Sequence, residues 1–323
     1  MKPLLILLMV LLTSVAALPP AAAQTDGKPV RLVIPFTPGG AQDVIGRYLG
    51  DRLAKLRGSP VVVENKAGAG GELAADAVAK AAADGTVLLL ATGGAINIAP
   101  LLNPKLPYDP KRDLAPVAMI ADTPMTIAVR TESPYKTLAD VLRDAKSKPG
   151  QIAFASTGNA TLSHLTGELL GQAAGVKLLH VPYRGAAPAI TDLMGGQVPL
   201  IVTSAASINP MVEGGKARVL GTFSKSRLLS LGNPPTVAEA TGLPGMDIPI
   251  WVGVMAPAKT PIDRVEKLSN EFTGLCKLPE TQTYFAGLGA IVACGGHAAF
   301  ASMLAEDSAR WAQVIQKGGI KLD

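Results

Sequence analysis

The stretch RLVIPFTPGGAQDVIGRYLGDRL, residues 31–53, decides the fold class of this chain. It opens with a short apolar run, which is typical of a strand buried on both faces of a parallel sheet. It closes with apolar residues at helical spacing, and Gly39 and Gly40 leave the backbone bare where the helix begins. Such a helix start directs unpaired N–H groups and the positive end of its dipole beyond the strand. The segment therefore predicts an anion site, with an ordinary strand-to-helix turn as the alternative.

An export signal precedes this stretch. Residues 1–23 combine Lys2, an apolar run and the small residues Ala21–Ala23 before Gln24, which is the pattern of a secretory signal peptide. The apolar run is about 15 residues long, short of the roughly 20 that span a bilayer, which disfavours a retained membrane anchor. No cysteine stands near the cleavage point, so we expect a freely soluble protein exported to a bacterial periplasm.

The composition fits a well-packed α/β protein and does not favour a nucleic-acid partner. The 323 residues carry a formal net charge of +5 with no basic run, and aromatic residues, which stack on bases, make up only 4%. A mature chain of about 300 residues exceeds the usual size of one domain, so we expect two domains.

Apolar strands and helices alternate along the chain, and small-residue turns follow the first three strands. These turns are TPGG (37–40), KAGAGG (66–71) and TGG (92–94). Because the carboxyl ends of parallel strands meet at one edge of a sheet, we expect the turns to converge there. Further elements are predicted as strands at 61–65, 87–91, 152–156, 178–181, 200–204 and 217–222, and as helices at 138–147, 161–174, 208–213, 262–275, 280–288 and 297–316. Residues 126–129 form an apolar segment with no element assigned.

The order of these elements predicts two α/β lobes. A Pro-rich stretch from Pro100 to Asp113 leads to a domain boundary, a second alternation follows, and the chain returns to the first lobe from Trp251. We predict lobe 1 at 24–125 plus 251–323 and lobe 2 at 126–250. Two crossings form a double hinge, which places a cleft for a small molecule between the lobes.

The second lobe carries a counterpart of the opening turn. In FASTGNATLSHLTGELL, Ser156, Thr157 and Gly158 precede a helix that begins near Thr161. Two helix N-termini facing one another across a cleft would bind an anion without an Arg or Lys. Capping of the helix by Thr161, and local bonds from the other hydroxyls to the backbone, are the alternative.

Three charged or titratable side chains lie near these turns. His164 is a candidate ligand contact, although a lone histidine more often packs or serves a local hydrogen bond. Asp43 would repel an anion, so we assign it to capping or charge balance, unless the ligand carries an amino group. Arg184, in the PYRG segment, is interpreted as a surface residue rather than the partner of a distal ligand carboxylate.

No motif of catalysis or of metal binding is present. The chain lacks a nucleophile elbow, a phosphate loop and a zinc-protease helix motif, and its histidines are scattered. We expect no catalytic residue, no metal and no cofactor. Cys276 and Cys294 are the two cysteines, and in an oxidising compartment we expect them to pair in one disulfide, with two separate buried thiols as the alternative.

The assembled motifs resemble those of the Bug family, the periplasmic substrate-binding proteins of tripartite tricarboxylate transporters. The resemblance covers nearly the whole mature chain and rests on segments that occur in the same order: VIPFTPGGAQD, VVVENKAGAGG, LPYDPKRDLAPVAMI, STGNATLSHL, HVPYRGAAPAITDLMGGQV, PTVAEATGLPG and WVGVMAPAKTP. This chain departs from the family pattern at Thr37, where a second proline is frequent, and at Asn159 and Ala160.

The resemblance implies a type II periplasmic-binding-protein fold that closes on a small carboxylate. One loop of the implied carboxylate pincer contains Pro38, Gly39, Gly40 and Asp43, and the other contains Ser156, Thr157, Gly158 and Thr161. The full set of candidate ligand residues is Phe36, Pro38, Gly39, Gly40, Asp43, Gly70, Thr92, Ser156, Thr157, Gly158, Thr161, His164 and Ser204.

The implied function is that of a solute receptor that delivers a carboxylate to a two-component membrane permease or reports it to a sensor, acting as a monomer. An exported enzyme that acts on a small organic acid is the alternative. A structural or adhesive surface protein fits the glycine-lined turns poorly. The resemblance leaves open which carboxylate is bound.

Overall fold

Apolar strands alternating with amphipathic helices build the first half of the molecule. The computed structural model of the protein describes residues 27–318. Its first half begins with β1 (Val30–Ile34), α1 (Ala41–Arg57), β2 (Val61–Asn65), α2 (Glu72–Ala79), β3 (Val87–Thr92), α3 (Ala99–Leu102) and α4 (Pro110–Asp113). Strands β2, β1 and β3 lie side by side and run parallel, so the turns that follow them meet at one edge of the sheet.

One long strand, β4 (Leu114–Arg130), joins the two halves. The second half follows it with α5 (Leu138–Ser147), β5 (Ala153–Ser156), α6 (Leu162–Ala173), β6 (Leu179–Pro182), α7 (Ala186–Met194), β7 (Leu200–Ser204), α8 (Ala205–Glu213), β8 (Ala217–Phe223) and α9 (Val237–Thr241). Here β5 runs parallel to β6 and β7, and β7 and β8 pair antiparallel with β4.

The chain then returns to the first half. The returning elements are β9 (Pro249–Pro257), α10 (Ile262–Lys277), α11 (Pro279–Gly287), β10 (Ile291–Gly296) and α12 (His297–Gly318). Strand β9 pairs antiparallel with β3 on one side and with the first part of β4 on the other, and β10 pairs with β4. All ten strands therefore belong to one continuous sheet.

The partners of β4 change along its length. Up to Pro124 it pairs with β9, and from Met125 onward it pairs with β7 and β8. The chain crosses back where Pro249 pairs with Pro124 and the N–H of Met125 donates to the carbonyl of Ile248 at 3.3 Å. Two chain segments thus cross between the halves at the same level.

Each half buries its own apolar core, and helix α12 contacts both. In the first half, Phe300 of this helix packs with Trp251 of β9. Further along the helix, Trp311, which is 2% exposed, packs into the core of the second half. The C-terminal helix is therefore a third link between the halves.

The structure confirms the α/β class and corrects the sequence prediction at two strands. The apolar segment at 126–129, to which no element was assigned, lies near the end of the long strand β4, and β10 was not predicted. The signal at 1–23 lies outside the described residues. No helix within residues 27–318 is long and apolar enough to cross a membrane.

The predicted disulfide is not formed in the structure. Cys276 and Cys294 are both free thiols. Cys276 is fully buried on α10, and Cys294 packs beside it in the same core from β10. Burial is the main cause that raises the pKa of both thiols above the ordinary value, and the Cys276 thiol is raised further by its neighbour. The two thiols lie in contact with one another, so the disulfide stays a prediction for the oxidised protein.

Candidate functional site

The turn between β1 and α1 is held rigidly by an acidic side chain. Gly40 is the N-cap of α1 and supplies no capping side chain. Asp43 in the first helical turn accepts a hydrogen bond from the N–H of Gly39 at 3.0 Å and one from Asn65 at 2.8 Å, and pairs with Arg47 at 2.9 Å. Both carboxylate oxygens of Asp43 are therefore bonded to groups within the first half.

The electrostatics of Asp43 fit this structural role. Its side chain is buried, and burial by itself would raise the pKa of the carboxyl. Hydrogen bonds from Arg47, Gly39 and Asn65 outweigh burial and hold the pKa below its ordinary value. Asp43 is thus an ionised anchor of the turn, whose charge Arg47 balances.

The second turn, between β5 and α6, uses its hydroxyl groups internally. Ser156 is fully buried, and its Oγ accepts from the N–H of Gly158 at 3.1 Å. Thr161 is the N-cap of α6: its Oγ1 accepts from the N–H of His164 and donates to the carbonyl of Gly158. The N–H of Thr157 donates to Ser163. These bonds fix the loop, as the capping alternative predicted.

Two histidines lie beneath this second turn. The rings of His164 and His180 are stacked, with centroids 3.8 Å apart, and His180 Nε2 lies 2.6 Å from Ser156 Oγ. Burial, and then the proximity of His164, lower the pKa of His180 to about 3. His180 is therefore neutral at physiological pH, and Nδ1 of His164 accepts from the N–H of Ala160 at 3.3 Å.

The glycine turn after β2 meets the second loop directly. A Cβ added at Gly70 would lie 2.5 Å from the carbonyl oxygen of Asn159 and 3.5 Å from Thr161 Cγ2. A Cβ added at Gly158 would in turn lie 3.6 Å from the Cα of Gly70. Only residues without a side chain allow the two backbones to approach this closely.

The N-terminus of α7 meets the first turn in the same way. A Cβ at Gly40 would lie 3.6 Å from the Cβ of Ala186, the first residue of α7. Gly185, the N-cap of α7, has a φ of +137°, and a Cβ there would lie 2.7 Å from Thr37 Oγ1. The starts of α1 and α7 therefore face one another across the boundary between the halves.

A hydrogen bond from helix α8 also crosses this boundary. The N–H of Ala41, in the first turn of α1, donates to Ser207 Oγ of α8 at 3.1 Å. Ser204, the N-cap of α8, contacts Ser207 Oγ at 2.9 Å. Ser204 thus acts through Ser207, which the sequence analysis missed because the contact joins residues 166 positions apart.

A cavity of about 170 Å³ lies between the converging turns. Both halves contribute to its lining, which consists of Phe36, Gly68, Ala69, Gly70, Thr157, Gly158, Asn159, Pro182, Tyr183 and Arg184. Four of the residues predicted from sequence line it, namely Phe36, Gly70, Thr157 and Gly158.

The other predicted residues surround this cavity without lining it. Pro38 is exposed, and Thr92 is buried at the end of β3. The rest hold or cap the turns, as described above for Gly39, Gly40, Asp43, Ser156, Thr161, His164 and Ser204. The other lining residues were not among the predicted ligand contacts. Gly68, Ala69 and Asn159 belong to the turns after β2 and β5, while Pro182, Tyr183 and Arg184 lie at the end of β6 and just after it, where the end of a parallel strand was the available signal.

A second cavity, of about 250 Å³, lies near the crossing strands. Asp122, Glu306 and Asp307 line it together with Arg310. The carboxylates would repel an anion, and no glycine is among its lining residues. Within residues 27–318 no group of three His, Cys, Asp or Glu side chains could hold a metal ion.

Comparison with known protein families identifies the family of this chain. A model of the tripartite tricarboxylate transporter family receptor matches residues 45–320. The chain belongs to this receptor family. The resemblance to Bug proteins is thereby confirmed, as is the expected fold of two α/β lobes around a cleft.

Relatives of this receptor align over most of their length. A UPF0065 protein from the tcbD-tcbE intergenic region of Pseudomonas sp. is 37% identical over 289 residues, covering 89% of this chain and 85% of the relative. Protein BugT of Bordetella pertussis is 32% identical over 311 residues, covering 96% of this chain and 95% of BugT.

Solved structures of similar receptors include complexes with carboxylates. Rpa4515 of R. palustris with adipate is 31% identical, with a TM-score of 0.87, covering 91% of this chain and 98% of that one. MatC of Rhodopseudomonas palustris with bound malate is 32% identical, with a TM-score of 0.84, covering 89% and 98%. The periplasmic binding protein BugD is 34% identical, with a TM-score of 0.86, covering 91% and 98%.

Proposed function

We propose that this protein is a periplasmic solute receptor that binds a small carboxylate in the cavity between its halves and delivers it to a tripartite tricarboxylate-type permease. The observation that carries the proposal is the cavity itself, which bare backbone turns from both halves line at the starts of helices. The positive ends of helix dipoles at such sites stabilise an anion.

Family membership and the bound carboxylates of similar receptors support the same ligand class. In this proposal the halves are lobes, 24–125 plus 251–323 and 126–250, that close on the ligand about β4 and β9. The monomer, the export signal and the two-component permease belong to the proposal as well.

The structure offers one feature that an enzyme would need, a serine next to a histidine. Ser156 Oγ lies 2.6 Å from His180 Nε2. However, Ser156 is fully buried and already bonded to Gly158, so its oxygen does not face the cavity. We therefore assign this pair a structural role, and we propose binding without turnover.

A thermal-shift screen of ligand-stripped protein tests the proposal. The panel contains mono-, di- and tricarboxylates, acidic amino acids and aromatic acids, with neutral amides as controls. At about 100 times the dissociation constant, a ligand adds about 2.7 kcal/mol to the free energy of unfolding, which gives a clear rise in melting temperature. Product analysis of each mixture by mass spectrometry should show the ligand unchanged.

A pair of glycine variants shows whether binding occurs at the proposed site. Gly40→Asp would place a carboxylate beside the cavity, where the starts of α1 and α7 face one another, so its charge should repel the ligand and abolish the shift. Gly274→Asp adds the same charge on α10, where nothing lies within 4 Å of an added Cβ, and should respond like wild type. A flat response of the wild type to every acid, or a normal shift in Gly40→Asp, would overturn the proposal.

A further inference from the structure

The charge and the size of the cavity indicate which kind of carboxylate would bind there. Apart from Arg184, the lining consists of backbone turns and neutral side chains. Its volume of about 170 Å³ is below the 300 Å³ or so at which pockets for drug-sized ligands begin, so the ligand has few carbons. This inference rests on the proposed carboxylate receptor and names the chemistry of its ligand.

The groups around the cavity do not neutralise Arg184. Asp43 is already paired with Arg47 and bonded to Asn65 within the first half. Tyr183 donates its hydroxyl to Asp192 at 2.7 Å, so this carboxylate also has a partner. Arg184 itself forms no ion pair or hydrogen bond with a side chain of residues 27–318, and it is exposed at the rim.

The backbone at Gly185 fixes the position of Arg184. Gly185, the next residue, is the N-cap of α7, and its φ of +137° lies in a region that L side chains rarely adopt. The close approach of Thr37 Oγ1 leaves no room for a Cβ at Gly185. Arg184 is therefore held at the point where the second half meets the first turn, with a free guanidinium beside the cavity.

We propose that Arg184 is a specificity-determining residue that binds the second carboxylate of the ligand. The first carboxylate lies against the glycine turn of Gly68, Ala69 and Gly70, which also lines the cavity. An unpaired guanidinium matches a carboxylate with two parallel hydrogen bonds, so a short dicarboxylate satisfies both ends of the cavity. A monocarboxylate of equal length would leave its apolar end beside the arginine.

Calorimetric titration with matched acids tests this assignment. The probes are succinate and adipate, each against its monoamide, which keeps the length and removes one charge. In wild type we expect each diacid to bind at least about tenfold more tightly than its monoamide, since charge-assisted hydrogen bonds are roughly twice as strong as neutral ones. In Arg184→Gln this ratio should fall to about one, while the affinity for the monoamides stays within about threefold of wild type.

Two further variants separate a specific contact from general electrostatics. Lys259→Gln removes one exposed positive charge away from the cavity and should keep the wild-type ratio. Arg184→Lys keeps the charge without the planar fork and should keep part of the preference. An unchanged ratio in Arg184→Gln, or equal loss in Lys259→Gln, would overturn the assignment of Arg184.

The two proposals fail in different ways. If no acid and no monoamide binds, the carboxylate receptor itself is wrong, and the role of Arg184 falls with it. If acids bind but wild type does not prefer the diacid over its monoamide, the receptor stands and only the dicarboxylate assignment is refuted.

Discussion

Gly70 is the position at which one added methyl group should weaken both the folded state and the contact between the halves. Its φ is +61°, and a Cβ would lie 2.5 Å from the carbonyl oxygen of Asn159 in the other half. Real Cβ atoms essentially never come closer than 3.0 Å to another heavy atom, so in Gly70→Ala the two loops must move apart. The substitution therefore costs free energy in two ways: an alanine must adopt a positive φ, and its methyl group collides with the loop of the other half.

The two costs fall on different equilibria. An alanine at positive φ costs about 1 to 2 kcal/mol, and this cost lowers the free energy of unfolding whether or not ligand is present. Overpacking by one methyl costs about 1 to 3 kcal/mol, and it falls only on the arrangement in which the halves touch. If the ligand binds this arrangement, affinity should fall by the same free energy, which corresponds to about 5-fold to about 150-fold.

Gly58→Ala is the matched control. Gly58 has a φ of +62°, and nothing lies within 4 Å of the position that an added Cβ would take. Urea unfolding of the ligand-free proteins should show similar losses of stability for both variants. Calorimetric titration with the acid found in the screen should show weaker binding for Gly70→Ala alone. Equal affinities of the two variants would refute the claim that the ligand is bound with Gly70 against Asn159.

Three side chains outside the glycine turns give further expected outcomes. Burial and the nearby Asp307 raise the pKa of Asp122 from 3.8 to about 6, so the stability provided by its protonated form is lost as pH rises through this window. Asp122→Asn should therefore raise the free energy of unfolding at neutral pH by about 3 kcal/mol in urea titrations. The pH dependence due to His180 has the opposite direction. Its pKa is lowered from 6.5 to about 3, so the free energy of unfolding should fall as pH drops below about 6.5. In His180→Gln, the melting temperature should lack this dependence on pH. Ser207→Ala removes the acceptor of the Ala41 N–H, which lies in the other half, and should weaken ligand binding about fivefold in calorimetry.

Local elements could be predicted where periodicity and caps agree. The predicted helix at 138–147 has the observed bounds, because Thr137 and Asp140 form a capping box that fixes its start. The predicted strands at 61–65 and 200–204 also have the observed bounds. In each case the signal lies within a few residues of the element itself.

The long strand β4 could not be predicted because its prolines argue against a strand. Pro116 and Pro124 remove ladder hydrogen bonds, and a sequence with such residues is demoted to an edge strand or a loop. In the structure the register shifts next to Pro116, and Pro124 stands where β4 changes partners between the halves. Both prolines thus fall where the ladder is already irregular, which only the tertiary arrangement shows.

Strand β10 escaped prediction for a related reason. Its sequence IVACGG ends in two glycines, and Cys294 has a φ of +49°, so the register against β4 shifts within the strand. Such a segment has neither strict alternation nor a continuous apolar run. Pairing with β4, far away in sequence, stabilises it as a strand.

In the site, the loops could be predicted but the task of each hydroxyl could not. Buried hydroxyls generally find partners: Thr161 finds its partner within its own loop, and Ser156 bonds to Gly158 of that loop and to His180 on β6. Sequence spacing allows both a local bond and a ligand bond, and burial decides between them. A hydroxyl that does cross between the halves belongs to Ser207, whose partner Ala41 is fixed by the way the halves meet.

The glycines of the site carry two different constraints that look alike in sequence. Gly58 needs its missing side chain only for a left-handed turn, since nothing lies nearby. Gly40 has an ordinary negative φ, and the small Ala186 faces it across the boundary between the halves. Gly70 meets both constraints at once, which is why its substitution should affect stability and binding together. In the proposed receptor, a glycine whose added Cβ would collide only with the opposite half marks the surface expected to close on the ligand, and this distinction requires the contacts between halves as well as the turn pattern.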